Sequence, residues 1–183
     1  MHICWLLMLF IVSGTIARKN PLRCLINMLP AYFTALGTQS SAATIPVTLK
    51  QTLKNGVSQS IAGFVIPLCA TIHLSGSMLK IVACSIALMI MEGEPVEFGA
   101  FFGFICLLGI TMVAAPGVPG GAIMAALGIL QSSLGFDASD QALMIALYIT
   151  MDSFGTACNV TGDGALAILV DRLTCLKAQA SRP

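Results

Sequence analysis

Ala114-Ala115-Pro116-Gly117-Val118-Pro119-Gly120-Gly121 lies inside an apolar run, residues 98–136, that carries no charged side chain. Proline removes backbone donors, and glycine lets the chain leave helical geometry. In lipid, the backbone groups freed by such a tip must find partners in protein or in a water-filled cavity. Working outward, residues 24–49 form a second uncharged run with its own breakers: Pro30, Gly37 and then Gln39-Ser40-Ser41-Ala42-Ala43-Thr44-Ile45-Pro46. Two interrupted segments in corresponding positions point to a transport site near the membrane midplane.

The composition agrees. Of 183 residues, 57% are hydrophobic and only 9% are charged, against about 25% charged in a soluble domain. The net charge of +1 offers no basic surface for phosphate, which excludes a nucleic-acid partner. The seven cysteines contain no C-x-x-C pair, and Cys4, Cys69, Cys84, Cys106 and Cys158 fall in apolar runs; they read as packing residues.

The few charges mark where the chain meets water. Basic clusters lie at Arg18, Lys19 and Arg23, at Lys50 and Lys54, and at Arg172, Lys177 and Arg182. Acidic clusters lie at Glu92, Glu94 and Glu97 and at Asp137 and Asp140. If every apolar stretch crossed the bilayer, Lys50 and Lys54 would face the side opposite Arg18, Lys19 and Arg23, against the cytoplasmic bias of Lys and Arg. If 24–49 and 98–136 enter and leave on one side, all three basic clusters become cytoplasmic.

The sequence therefore predicts an all-α membrane protein. Its parts are a helix at 1–17, a re-entrant hairpin at 24–49, a broken helix at 55–91, a second re-entrant hairpin at 98–136 and a helix at 141–172. The two hairpin-plus-helix units run in opposite senses, an inverted repeat. Residues 1–17 read as a helix and not a signal peptide, because basic residues follow the apolar core instead of preceding it. Lys80 is the exception to the charge pattern and is expected near the outer part of 55–91.

The strongest chemical signal lies in the last helix. Asp152, Thr156, Asn159 and Asp163 are spaced four, three and four residues apart, which puts them on one helical face. Carboxylates at mid-membrane require cations, donors or protonation. No Lys or Arg lies between Lys80 and Arg172, so a bound cation or a ligand ammonium is the expected partner. Hard oxygen donors suit sodium. Asn159 and Asp163, one turn apart, can share an ion; Asp152 lies about 16 Å from Asp163 along the axis and needs another partner. In 55–91, Ala70-Thr71-Ile72-His73-Leu74-Ser75-Gly76-Ser77 suggests an unwound stretch, where His73, Ser75 and Ser77 are candidate ligands.

Together these segments resemble the carboxyl-terminal, transport-domain half of the dicarboxylate/amino acid:cation symporter family, which includes glutamate and aspartate transporters. The stretch 39–48 is similar to that family's first hairpin tip, and Pro67-Leu68-Cys69-Ala70-Thr71-Ile72 to the lead-in of its seventh helix. Gly117-Val118-Pro119-Gly120-Gly121-Ala122 is similar to the second hairpin tip, and Asn159-Val160-Thr161-Gly162-Asp163 to the signature of its eighth helix. The resemblance implies a multi-pass plasma-membrane carrier, trimeric at full length, that couples sodium to a small amino acid or dicarboxylate. It needs no cofactor beyond Na+ as coupling ion and is not an enzyme. It implies substrate contacts at Gln39, Ser40, Ser41, Ser77, Val118, Asp152, Gly155, Thr156 and Asn159, with Asp152 on the substrate amino group. It implies sodium contacts at Asn159 and Asp163, with His73 and Ser75 as further candidates.

Three departures stand out. The family's seventh helix usually reads Asn-Met-Asp-Gly-Thr, where this chain has His73-Leu74-Ser75-Gly76-Ser77. Gly155 stands where members with acidic substrates carry arginine; with no guanidinium for a second carboxylate, a neutral amino acid is slightly favoured. The family's first helices have no counterpart, so a partial, inactive membrane fragment is the alternative. An intramembrane aspartyl protease fits poorly, since it needs two adjacent carboxylates sharing a proton, and Asp152 and Asp163 are three turns apart on one helix.

Overall fold

The computed structural model describes residues 1–180; Arg182 lies outside them. Among the described residues the chain is helical throughout: α1 (His2–Ala17), α2 (Pro21–Thr38), α3 (Ser41–Lys54), α4 (Gln59–Ile72), α5 (Ser75–Glu92), α6 (Phe98–Met112), α7 (Gly121–Leu134), α8 (Ala138–Thr150) and α9 (Asp152–Ala180).

Local chemistry sets the boundaries. The Asn20 side chain caps α2 by accepting from the Arg23 N–H, and Pro21 takes the first helical position, where a missing donor costs nothing. Ser40 caps α3 through the Ala43 N–H. Asp137 and Asp140 form a capping box at α8, and the N–H groups of Asp140 and Ser139 hold the Asp137 carboxyl below its ordinary pKa. Gln39 ends α2 with a φ of 51°, in the left-handed region, turning the chain directly into α3.

α9 is the axis of the molecule. It packs against α1, α2, α3, α4 and α5, and from Gly155 to Ala165 every residue is buried. Its apolar residues Val160 and Ile168 join Leu6, Phe10, Met28 and Ile66 in one core cluster. A second cluster, centred on Ile81, Phe104, Leu108, Ile123, Leu130 and Met144, unites α5 to α8. The outer surface stays apolar, with Phe33, Phe64, Met91, Phe98, Phe102 and Ile110 exposed, as suits a chain solvated by lipid. The run Gln59–Glu92 is long and apolar enough to cross a membrane, and α8 with α9 forms a bent pair that passes the same test together.

The two interrupted segments are helix pairs. The first is wider than expected, α2 and α3 spanning 21–54 in place of 24–49; the second places α6 and α7 on either side of a tip at 113–120. The break expected at 70–77 falls at His73–Leu74, between α4 and α5.

Two expectations are corrected. The last segment is not one helix over 141–172: it breaks at Met151 and bends by 62°. A continuous helix would bond the Tyr148 carbonyl to the Asp152 N–H; here that carbonyl accepts from Lys80 Nζ at 3.2 Å and from the Met151 N–H. Lys80, expected near the outer part of 55–91, lies in the first half of α5 with its side chain turned into the protein, 3% exposed.

Candidate functional site

Both tips and the polar face of α9 converge. The Gly117 carbonyl, on the second tip, accepts from the Ser40 hydroxyl at 3.1 Å and from the Ala42 N–H at 3.3 Å on the first. Gly117 is required by close approach: a Cβ there would run into the Ala70 carbonyl oxygen at the end of α4. The Gly117 carbonyl freed on the second tip is thus satisfied by the first tip. Ser40→Ala removes both the α3 cap and the bond to Gly117. It is expected to cost about 1 kcal/mol, read as a lower unfolding midpoint, with Ser40→Thr retaining most of the stability.

Beneath the tips lies a small cavity, about 10 Å³, lined by Gln39, Ser41, Leu74, Ser77, Pro116, Gly117, Val118, Ala122, Tyr148, Asp152, Thr156 and Asn159. It has room for little more than one water molecule, so the site is closed in this conformation. Of the residues expected from sequence, Gln39, Ser41, Ser77, Val118, Asp152, Thr156 and Asn159 line it. Ser40 stands behind the wall on the tip-to-tip bond. Gly155 is behind it too, with Lys80 Nζ 3.3 Å from the position its Cβ would take.

Asp152 has a partner within the chain, contrary to the expectation of a bound cation or ligand ammonium. Its Oδ1 accepts from Lys80 Nζ at 3.1 Å, and its Oδ2 accepts from the Gly120 N–H on the second tip at 2.8 Å. Lys80 Nζ also sits over the Tyr148 ring, 3.3 Å from its centroid, a cation–π contact. Tyr148 donates its hydroxyl to Ser77 Oγ at 3.0 Å. Lys80 and Tyr148 escaped the sequence reading. The available signal was that Lys80 is the one charge in 55–91 and Asp152 the first in 141–170.

Asn159 organises the break between α4 and α5. Its Oδ1 accepts from the N–H groups of Gly76 at 2.7 Å and Ser77 at 3.3 Å, and its Nδ2 donates to Ser77 Oγ at 2.9 Å. It thereby caps α5, whose own preceding residue, Leu74, cannot.

Asp163 belongs to a separate polar chain. The Trp5 indole N–H donates to Ser75 Oγ at 3.0 Å, Ser75 Oγ lies 2.9 Å from His73 Nε2, and His73 Nδ1 lies 2.7 Å from Asp163 Oδ1. With the Ser75 hydroxyl donating to Nε2, the imidazole carries its proton on Nδ1 and donates it to the carboxylate. The structure thus brings His73, Ser75 and Asp163 together and leaves Asn159 engaged at α5.

Sodium needs several hard oxygens converging on one point. Here Asp163 Oδ1 is taken by His73, the Asn159 oxygen accepts two N–H bonds, and the Ser75 hydroxyl is held between Trp5 and His73. Among the described residues no group of three or more His, Cys, Asp or Glu could hold a metal ion. As arranged, these donors do not form a sodium shell.

Known proteins are similar to this sequence. It is 31% identical over 172 residues to the neutral amino acid transporter B(0) of Mus musculus, covering 91% of this chain and 31% of that protein. It is 32% identical over 170 residues to the excitatory amino acid transporter 3 of Mus musculus (92% and 32%). To the excitatory amino acid transporter 1 of Homo sapiens it is 32% identical over 160 residues (87% and 29%). The chain thus spans about a third of the length of these relatives, all of them transporters and none an enzyme. Residues 1–173 match the profile of the sodium:dicarboxylate symporter family along nearly the whole chain, and the chain belongs to that family.

Proposed function

We propose that this chain forms the substrate-bearing part of a cation-coupled carrier for a small carboxylate, an amino acid or a dicarboxylate, in the plasma membrane. The observation that carries the proposal is the cavity in which two helix-pair tips and the polar face of α9 meet. Four helices begin at it: α3 at Ser41, α5 near Ser77, α7 near Ala122 and α9 at Asp152. Helix N-termini carry partial positive charge, which suits a carboxylate.

In this reading the two helix pairs are re-entrant hairpins of an inverted repeat. The second tip, which carries Val118 and is latched by Gly120 onto Asp152, is the gate over Ser41 and Thr156. Sodium, the coupling ion in the family's name, would need Asp163 and Asn159 freed from His73 and from the start of α5 before they could hold it. The full-length carrier is a trimer, as the resemblance implies. The preference for a neutral amino acid rested on the absence of a basic side chain; Lys80 beside Gly155 removes that ground, and the proposal keeps to the wider class.

Thermal unfolding of the detergent-purified chain with aspartate, alanine and succinate, with and without sodium, tests this. A ligand that binds only the folded state stabilises it by about 2.7 kcal/mol at a hundred times its Kd. A shift seen only with sodium supports both the site and the coupling. A ligand shift indifferent to sodium refutes the coupling and keeps the site. No shift with any of the three refutes the site.

A further inference from the structure

We propose that Lys80 is a specificity-determining residue: its tethered ammonium occupies Asp152, so the site selects carboxylates that lack an amino group over amino acids. The inference rests on the cavity between the tips being the substrate site.

Asp152 has both carboxylate oxygens engaged, one by Lys80 Nζ and the other by the Gly120 N–H of the gate. A ligand ammonium seeking that carboxylate meets a competitor that is covalently attached and always present, which gives it a high effective concentration. Placing both at Asp152 would set two cations on one buried carboxylate, where water screens little.

The surroundings of Lys80 are shaped for it. The Tyr148 carbonyl and the Tyr148 ring take its remaining directions. Gly155 leaves it room, since Nζ and Cε lie 3.3 and 3.5 Å from where a Cβ would be. A longer side chain at 155 would collide with the ammonium. Lys80 thus spends its donors on the protein and acts on the ligand by neutralising Asp152. With that charge cancelled, the partial positive charge of the helix N-termini around the cavity remains, favouring one carboxylate or two and disfavouring an ammonium.

Succinate and aspartate separate these effects, because they share a four-carbon dicarboxylate skeleton and differ by the amino group. Calorimetric titration of the chain in detergent with sodium is expected to give succinate a Kd about tenfold or more below that of aspartate, a difference of about 1.4 kcal/mol, with alanine weaker still. Lys80→Met leaves Asp152 in need of a cation and is expected to reverse the order in favour of aspartate. Should that variant not fold, Lys80→Met with Asp152→Asn removes both charges of the pair and keeps an acceptor for Gly120; it is expected to bind the two ligands about equally.

Aspartate or alanine binding the unsubstituted chain as tightly as succinate overturns the inference and leaves the carboxylate site standing. So does a succinate preference that survives in either variant. Binding of none of the three overturns the site and the inference with it.

Discussion

Asp152→Ala is expected to destabilise the chain by about 3–5 kcal/mol, because it strands the Lys80 ammonium in the interior. The pair lies where neither partner has water to turn to, Lys80 and Asp152 each being 3% exposed. The loss has a second part: the Gly120 N–H gives up its acceptor, and with it the bond that closes the second tip. Removing both charges should cost far less than removing one, since a buried ion pair is often no more stable than the neutral groups that replace it. Lys80→Met with Asp152→Asn is therefore expected to recover most of the unfolding midpoint lost in Asp152→Ala. Equal losses in the single and double variants would show that the pair does not govern this region.

Gly76→Ala is expected to cost about 1–3 kcal/mol or more, the range for forcing extra atoms into a packed interior. A Cβ at Gly76 would stand 2.6 Å from Cys158 Cβ and 2.6 Å from the Gly155 carbonyl oxygen. Neither neighbour is the free end of a flexible chain, so α5 and α9 must separate. Separation stretches the Gly76 N–H bond to Asn159 and disturbs the α5 start, and ligand binding is expected to weaken along with stability. Gly63→Ala is the control: it lies within α4 with nothing near its Cβ position, and the substitution is expected to be neutral or stabilising by up to about 1 kcal/mol. A similar loss at both positions would contradict the close α5–α9 approach.

Helix breaks are legible in the sequence where their chemistry is itself local. The Gly/Pro tip at 114–121 separates α6 from α7, and further breaks fall at Gln39–Ser40 and His73–Leu74, but Pro30 and Gly37, expected as breakers, lie inside α2 and Pro46 lies inside α3. The face bearing Asp152, Thr156, Asn159 and Asp163 follows from helical spacing, and all four lie on α9. The bend at Met151 was hidden because no glycine or proline marks it; it follows from a carbonyl being drawn to Lys80, a residue 68 positions away. The Lys80–Asp152 pair was hidden for the same reason, since 72 residues separate its members and only the packing of α5 on α9 joins them. Asn159 looked like an ion ligand from its type and position, yet its oxygen caps α5, which no spacing rule could have indicated. The His73–Asp163 contact depends likewise on α4 ending against α9.

The claim at the centre of this account is that substrate sits between the two tips and α9. Val118, on the second tip, lines the cavity while remaining 51% exposed, which makes it a reporter. The measurement is the rate of maleimide labelling of Val118→Cys, with the exposed Cys4, Cys106 and Cys175 replaced by alanine, in the presence and absence of saturating succinate or aspartate with sodium. A bound carboxylate, lying against position 118, is expected to slow labelling there by about tenfold and to leave a control cysteine at Phe64 on the outer face of α4 unchanged. Labelling at 118 that is indifferent to a ligand shown by calorimetry to bind would place the substrate elsewhere and contradict the account.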